Sequence, residues 1–206
     1  MVVANQTFQT TEYSVDARLR SASGAKSSIA HAALQFLPEA PGGGIFLDAG
    51  TTTAAFAELI TMQPAAKQWS IVTNSLSIAL TLANSGLDEI QLLGGSVRGI
   101  TQAVVGNAAL RTLALMRAEV AFIGTNALTV DHGLSTADSQ EAAIKSAMIT
   151  NARKVVVLCD STKMGTDYLV SFGSVDDIDV IITDANAPES FVKALRDRNV
   201  EVIIAS

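Results

Sequence analysis

The feature that most constrains the fold of this chain is a regular alternation of strand and helix patterns from residue 44 onward. The strand candidates are short, continuous runs rich in Val and Ile, as expected when both faces of a sheet are covered. Such alternation predicts an α/β fold with a mostly parallel sheet and helices on both faces. The predicted strands are 44–48, 69–73, 89–95, 119–124, 154–160, 177–183 and 200–206, and the predicted helices are 24–37, 52–60, 75–83, 105–117, 139–152 and 190–198.

Composition narrows the class of protein. The 206 residues suit one large domain, and 49% hydrophobic residues are ample for its core. The chain has no apolar run of roughly 20 residues and no signal-peptide pattern, and its one cysteine, Cys159, excludes an internal disulfide. We therefore expect a soluble, cytoplasmic protein without a membrane partner. Two histidines and one cysteine are too few for a usual zinc site, so we expect no metal and no cofactor.

The formal net charge of −6 argues against duplex DNA binding by this chain alone, because phosphate contacts on DNA need clustered Lys and Arg. A small anion is a different matter, since a local nest of N–H groups with one or two cations is enough to hold it. The composition therefore leaves a small anionic ligand open.

Polar residues follow five consecutive predicted strands. In a parallel sheet these ends meet at one edge, where α/β proteins bind ligands. The residue types are glycine, hydroxyl, amide and charged, which suit a phosphorylated polyol. The candidate binding residues at these ends are Asp48, Gly50, Thr51, Thr52, Thr53, Thr73, Asn74, Ser75, Gly94, Gly95, Arg98, Gly124, Asn126, Asp160 and Lys163.

The first of these ends is the most informative. Gly50 and three threonines, Thr51 to Thr53, stand between a buried strand and a helix, although β-branched residues are poor helix formers. One hypothesis is that a threonine simply caps the helix. The other is that backbone N–H groups and hydroxyls at the helix start hold a phosphate.

Taken in order, these segments resemble the C-terminal effector-sensing domain of the DeoR family of bacterial transcriptional regulators. The similarity runs from about residue 8 to the end. The segments that carry it are LDAGTTT at 47–53, IVTNSLSIALTLA at 71–83, LLGGSVR at 92–98, VVGNAAL at 104–110, AFIGTNAL at 121–128, GLST at 133–136, EAAIKSAMI at 141–149, LCDSTKMG at 158–165 and IDVIITD at 178–184.

This resemblance implies a Rossmann-like fold similar to ribose-5-phosphate isomerase and a sensor that binds a sugar phosphate, with fructose phosphates marginally preferred. It implies a homo-oligomer that meets operator DNA only through an N-terminal winged helix-turn-helix. Too few residues precede Ala17 for that domain, so we predict an arm or linker remnant at 1–20 and the sensing domain at 21–206. Two residues depart from the family pattern: Ala25 replaces an acidic residue, and Ala127 replaces a second glycine beside the expected cleft.

Each candidate residue has a predicted role. Gly50 to Thr53 are predicted to form the phosphate cradle. Asp48 is predicted either to accept hydrogen bonds from sugar hydroxyls or to fix the loop. For Thr73, Asn74 and Ser75 the alternatives are to touch the sugar, to hold the loop or to cap the next helix. Gly94 and Gly95 allow a turn under the ligand, Arg98 reaches the phosphate, Gly124 permits close approach and Asn126 offers an amide. Glu141 and Lys145, spaced i, i+4, form a surface ion pair or place Lys145 in the cleft. Lys163 is the main cation and Asp160 accepts a hydroxyl.

Two other function classes stay open. An aldose–ketose isomerase, hydrolase or deaminase on the same scaffold needs a general base, for which Asp138, Glu141 or Asp160 would serve. The loop Gly124-Thr125-Asn126-Ala127, however, lacks the carboxylates of the isomerase loop, and this favours sensing without catalysis. A pure oligomerisation module with a relic cleft predicts no ligand at all.

Overall fold

A computed structural model describes residues 7–9, 11–14 and 22–206. The predicted arm at 1–20 therefore lies partly outside the described residues. The helices are α1 (Ser23–Ala33), α2 (Thr51–Thr61), α3 (Leu76–Asn84), α4 (Asn107–Leu113), α5 (Ser139–Thr150) and α6 (Glu189–Arg196). The strands are β1 (Thr7–Phe8), β2 (Gly44–Leu47), β3 (Ser70–Thr73), β4 (Ile90–Leu92), β5 (Ser96–Arg98), β6 (Ala103–Val105), β7 (Ala118–Gly124), β8 (Ala127–Thr129), β9 (Gly133–Thr136), β10 (Ala152–Leu158), β11 (Thr166–Asp167), β12 (Val170–Gly173), β13 (Val180–Asp184) and β14 (Glu201–Ala205).

A seven-stranded sheet forms the centre of the structure. Its order is β14-β13-β10-β7-β2-β3-β4, and every pairing within it is parallel. Each of the seven predicted strands forms one strand of this sheet. The prediction of a mostly parallel sheet is confirmed, because continuous Val- and Ile-rich runs need cover on both faces.

Helices cover both faces of the sheet, as predicted. On one face Ile29 of α1, Phe56 of α2 and Ile78 of α3 belong to one buried apolar cluster. On the other face Leu113 of α4 and Ile144 of α5 belong to a second cluster, which α6 completes with Val192 and Leu195. No helix in the described part of the chain is both long and apolar enough to cross a membrane.

Three small sheets were not predicted from the sequence. β5 and β6 form an antiparallel pair, β12-β9-β8 form an antiparallel sheet, and β1 pairs with β11 in parallel. Their strands have only two to four residues, too short for a periodic pattern to stand out. The predicted helix at 105–117 was wrong at its start because β6 was not recognised. Val105 ends β6, and α4 begins only at Asn107.

Gly133 fixes the pairing of β9 with β12. Its φ is +76°, and a Cβ there would lie 2.2 Å from the carbonyl oxygen of Gly173. Gly133→Ala should therefore lower the free energy of unfolding by roughly 2–3 kcal/mol, since left-handed strain of about 1–2 kcal/mol is added to the clash. Urea denaturation would measure this.

Gly86→Ala is the matched control for this prediction. Gly86 has φ +80°, yet among the described residues nothing lies within 4 Å of the position that a Cβ would take there. It should cost only the strain, about 1 kcal/mol. Equal losses in the two variants would contradict the close-approach explanation for Gly133.

Candidate functional site

A polar cleft lies at the carboxyl edge of the sheet, where the strand order reverses. In the sheet, β3 and β4 lie on one side of β2. β7, which comes later in the chain, pairs with the other side of β2. Such a switch point opens a crevice between the two strand ends. The lining residues are Tyr13, Lys26, Ala49, Gly50, Thr51, Thr52, Gly124, Thr125, Asn126, Lys145, Leu158, Asp160, Lys163 and Tyr168.

A buried ion pair lies beneath this cleft: its lysine lines the cleft, and its aspartate is not among the lining residues. Asp48, directly after β2, pairs with Lys145 of α5, and its Oδ2 accepts the N–H of Gly124 at 3.1 Å. Lys145 Nζ also donates to the Gly124 carbonyl at 2.9 Å. Complete burial raises the pKa of Asp48, and the Lys145 ammonium opposes that shift. The pair joins β2, β7 and α5, so Asp48 holds these three elements together.

The start of α2 contributes the predicted cradle segment. The N-cap residue is Gly50, so no threonine side chain occupies the capping position. The Thr53 hydroxyl donates to the carbonyls of Asp48, at 2.7 Å, and Gly50, at 3.0 Å. Thr51 and Thr52 line the cleft, and the first-turn N–H groups have no acceptor within the helix. A threonine cap is therefore not what the structure shows, and the phosphate-cradle hypothesis stays a prediction.

Thr73, which ends β3, and the two residues after it, Asn74 and Ser75, do not line the cleft. Ser75 caps α3 by accepting the N–H of Ile78 at 3.3 Å, and Thr73 accepts the N–H of Ser75 at 3.1 Å. The Asn74 side chain accepts the N–H of Ala49 at 2.8 Å. Of the predicted alternatives, holding the loop and capping the helix describe these residues, and Asn74 braces the segment before the cradle.

Arg98 lies outside the cleft, in a cluster of carboxylates. Its guanidinium pairs with Glu12 at 2.9 Å, Asp138 at 3.2 Å and Glu141 at 2.6 Å. Glu141 also accepts the hydroxyl of Thr101. A guanidinium so occupied has no free edge toward a phosphate, and Arg98 is not among the residues that line the cleft.

The i, i+4 pair predicted for Glu141 and Lys145 does not form. Glu141 pairs with Arg98 and Lys145 pairs with Asp48, and both side chains are buried. The alternative that places Lys145 in the cleft describes the structure. Gly94 and Gly95 do not line the cleft. Gly95 allows the end of β6 to lie close to the backbone just before β5, because a Cβ at Gly95 would lie 2.4 Å from the Val105 carbonyl oxygen.

The loop after β10 supplies the opposite wall. Asp160 Oδ1 accepts the N–H of Thr162 at 3.1 Å and pairs with its hydroxyl. Lys163 follows in the same short 3₁₀ turn, Ser161–Lys163. Asp184, the last residue of β13, accepts the N–H of Ser161 at 2.7 Å and that of Asn186 at 3.0 Å. Burial opposes the ionisation of Asp184, but these hydrogen bonds prevail and lower its pKa. The turn that carries Lys163 is thus held firmly.

Six lining residues were missing from the sequence prediction: Tyr13, Lys26, Ala49, Thr125, Leu158 and Tyr168. Lys26 had a detectable signal. It stands on the inward face of α1 with Ile29, Ala30 and Ala33, a position at which a charged residue is unusual unless it is paired or serves a site. The two tyrosines had none, because their segments have weak patterning.

The cleft is cationic although the chain is acidic. Lys26, Lys145 and Lys163 line it, whereas Asp160 is the lining carboxylate among the described residues. Across the described part of the chain, no group of three or more His, Cys, Asp or Glu residues is placed to hold a metal ion. Hydroxyls, N–H groups and ammonium groups together suit an anionic, hydroxyl-rich molecule.

Most of the sequence matches a known family. The family described as DeoR C terminal sensor domain matches residues 21–185. This chain belongs to that family. The HTH-type transcriptional regulator GlpR of Haloferax volcanii is 36% identical over 180 residues, 86% of this chain and 68% of that protein. The glycerol-3-phosphate regulon repressor of Escherichia coli K12 is 30% identical over 177 residues, with the same two coverages, 86% and 68%.

Solved structures show the fold of this DeoR sensor domain. The probable sor operon regulator from Shigella flexneri superposes with a TM-score of 0.52 at 13% identity, covering 93% of this chain and 87% of that one. Ribose 5-phosphate isomerase A from Methanocaldococcus jannaschii superposes with a TM-score of 0.50 at 18% identity, covering 70% and 55%. The predicted family and the predicted likeness to the isomerase fold are both confirmed.

Proposed function

We propose that this DeoR sensor domain binds a phosphorylated sugar, or a related polyol phosphate, in the cleft and does not transform it. The observation that carries the proposal is the meeting of the α2 N-terminus with three lysines at the switch point of the sheet. Ligand binding would then change operator binding by a DNA-reading domain outside these 206 residues, in a homo-oligomer. Size-exclusion chromatography with light scattering tests the oligomer.

The phosphate end of the ligand belongs at the start of α2. The N–H groups of Thr51 to Thr53 point out of the helix start, and the first helix-type bond runs from Ala54 N to Gly50 O at 2.9 Å. The helix dipole favours an anion there. Lys26 and Lys163 add positive charge from two other segments of the cleft wall.

The polyol end of the ligand belongs beside the loop after β7 and the 3₁₀ turn. Asn126, with its amide, and Asp160, with its carboxylate, line the cleft there, and Thr125 lines it beside them while its hydroxyl donates to the Ala127 carbonyl. These groups accept and donate hydrogen bonds in the mixture that sugar hydroxyls need. A few placed polar groups around a small cleft are typical of ligand specificity.

The hydrogen bonds and ion pairs of the nearby carboxylates favour sensing over catalysis. A general base must have an oxygen within reach of a substrate proton. Asp138 caps α5 through the N–H groups of Gln140 and Glu141, and Glu141 is held by Arg98. Asp160 is hydrogen-bonded by Thr162. Asp138 and Glu141 therefore already have structural partners, and Asp160 is the one of the three carboxylates that lines the cleft.

The test is a thermal-shift screen followed by calorimetry. The panel contains glycerol 3-phosphate, fructose 1-phosphate, fructose 6-phosphate and tagatose 6-phosphate, each beside its unphosphorylated counterpart. We expect one phosphate to stabilise the chain, by about 2.7 kcal/mol at a hundred times its dissociation constant. The relative named after glycerol 3-phosphate puts that compound first in the panel.

Lys163→Ala should weaken that ligand by about ten- to a hundredfold, because a hydrogen bond to a charged group contributes about 1.5–3 kcal/mol. Lys67→Ala removes the same charge at an exposed position in another part of the fold and should leave affinity unchanged. Stabilisation by the free sugar as strongly as by its phosphate would contradict the proposal. Turnover of the ligand would replace it with the enzyme hypothesis.

A further inference from the structure

Residues 11–14, here called the strap, lie against the cleft. Tyr13 of the strap is one of the lining residues, although it is 56% exposed. Its counterpart Tyr168, which also lines the cleft, is buried. The strap therefore places an aromatic side chain at the rim of the cleft, and more than half of the surface of that residue is exposed to solvent.

Two contacts tie the strap to other elements. The Tyr168 hydroxyl donates to the Thr11 carbonyl at 3.0 Å. Both carboxylate oxygens of Glu12 accept from the Arg98 guanidinium, at 2.9 and 3.0 Å. Just before the strap, Gln9 N donates to the Asp167 carbonyl at 2.9 Å, continuing the β1–β11 pairing. A two-pronged Arg–carboxylate pair fixes orientation as well as position.

Arg98 connects the strap with the ion pair beneath the cleft. The same guanidinium binds Glu141 on α5, and one helical turn later α5 carries Lys145, which pairs with Asp48. Contacts therefore run from the Asp48–Lys145 pair through α5 and Arg98 to Glu12. The next residue, Tyr13, lines the cleft. Arg98 therefore links α5 to the strap, and this role does not depend on any contact between Arg98 and a phosphate.

We propose that the strap completes the ligand site, with Tyr13 contacting the carbon skeleton of the bound ester and Glu12 positioning Tyr13 through Arg98. This inference rests on the proposed function, since it needs a ligand in the cleft. A tyrosine ring offers an apolar face and a hydroxyl, which suits a polyol better than it suits a bare phosphate. By linkage, a ligand that touches Tyr13 also stabilises the contacts that hold the strap, and loss of those contacts weakens the ligand equally.

Calorimetry on the full 206-residue chain tests the inference with two probes: inorganic phosphate, and the panel ester that the native chain binds most tightly. Tyr13→Ala and Glu12→Gln should each weaken the ester by about tenfold and change the affinity for inorganic phosphate by less than about twofold. Tyr13→Phe, which keeps the ring, should retain most of the affinity. Glu58→Gln, an exposed substitution on α2, is the matched control for Glu12.

A double variant asks whether the two residues act together. If Glu12 works by positioning Tyr13, the combined loss in Glu12→Gln/Tyr13→Ala should be about that of Tyr13→Ala alone. Losses that multiply would overturn the positioning role of Glu12.

The remaining outcomes separate this inference from the proposed function. If the native chain binds no ester, both fall. If the native chain binds an ester and Lys163→Ala weakens it, while Tyr13→Ala and Glu12→Gln bind as the native chain does, the strap inference alone falls. Equal losses for the ester and inorganic phosphate would also overturn it, because they would indicate general damage to the cleft.

Discussion

Replacing Lys145 with methionine is expected to destabilise the fold by roughly 3–5 kcal/mol at neutral pH, because removing one partner of a buried ion pair leaves an uncompensated charge. The stranded group is Asp48, which is fully buried at the end of β2. Among the described residues its Oδ1 has no hydrogen-bond partner, so little else offsets the loss of the ammonium. Urea denaturation at pH 8 would measure the effect.

The loss should shrink as the pH falls. Burial already raises the pKa of Asp48 above 3.8, and without the lysine this shift grows. Between the unfolded and the folded pKa the folded state binds more protons, so the stability of the variant rises as pH is lowered through that window. The difference between variant and native chain should be smaller at pH 5 than at pH 8.

Two controls make this prediction specific. Asp48→Asn/Lys145→Met removes both charges while keeping an acceptor for the Gly124 N–H, and it should recover at least half of the lost stability. Lys67→Met makes the same change at an exposed position and should stay within about 0.5 kcal/mol of the native chain. A double variant no more stable than Lys145→Met would show that packing, and not charge, causes the loss.

The sequence was sufficient for the sheet and for one edge of the site. Each strand is a continuous apolar run, and parallel strands bring their carboxyl ends together, so the order of the elements alone predicts that Asp48, Gly124 and Asp160 lie near one another. The start of α2 could be predicted as well, since an apolar pattern of helical spacing follows Gly50.

The pairing of charges could not be read from the sequence. Glu141 and Lys145 have the spacing of a helical ion pair, yet each chooses a partner far along the chain: Asp48 is 97 residues from Lys145, and Arg98 is 43 residues from Glu141. Local spacing predicts only local partners. The strap was missed for the same reason, since Glu12 finds Arg98 across 86 residues.

Phe122→Ala is expected to cost roughly 3–5 kcal/mol and to loosen the helix that carries the cradle. Phe122 is fully buried on β7, and its ring lies 4.4 Å from that of Phe56 in α2, centroid to centroid. Truncation removes about a whole ring of contacts and leaves a cavity between the sheet and α2. Phe122→Leu, which fills most of that space, should cost less.

Phe46→Ala is the matched control, because Phe46 is also buried, on neighbouring β2, but belongs to the apolar cluster on the opposite face. Global stability should fall by a similar amount in the two variants, and hydrogen exchange should tell them apart. In Phe122→Ala the amides of α2 should lose more protection than those of α5, and in Phe46→Ala the order should reverse. Equal loss on both faces would mean that the aromatic pair does not hold α2 in place, and that the cradle depends on Thr53 and Asn74 alone.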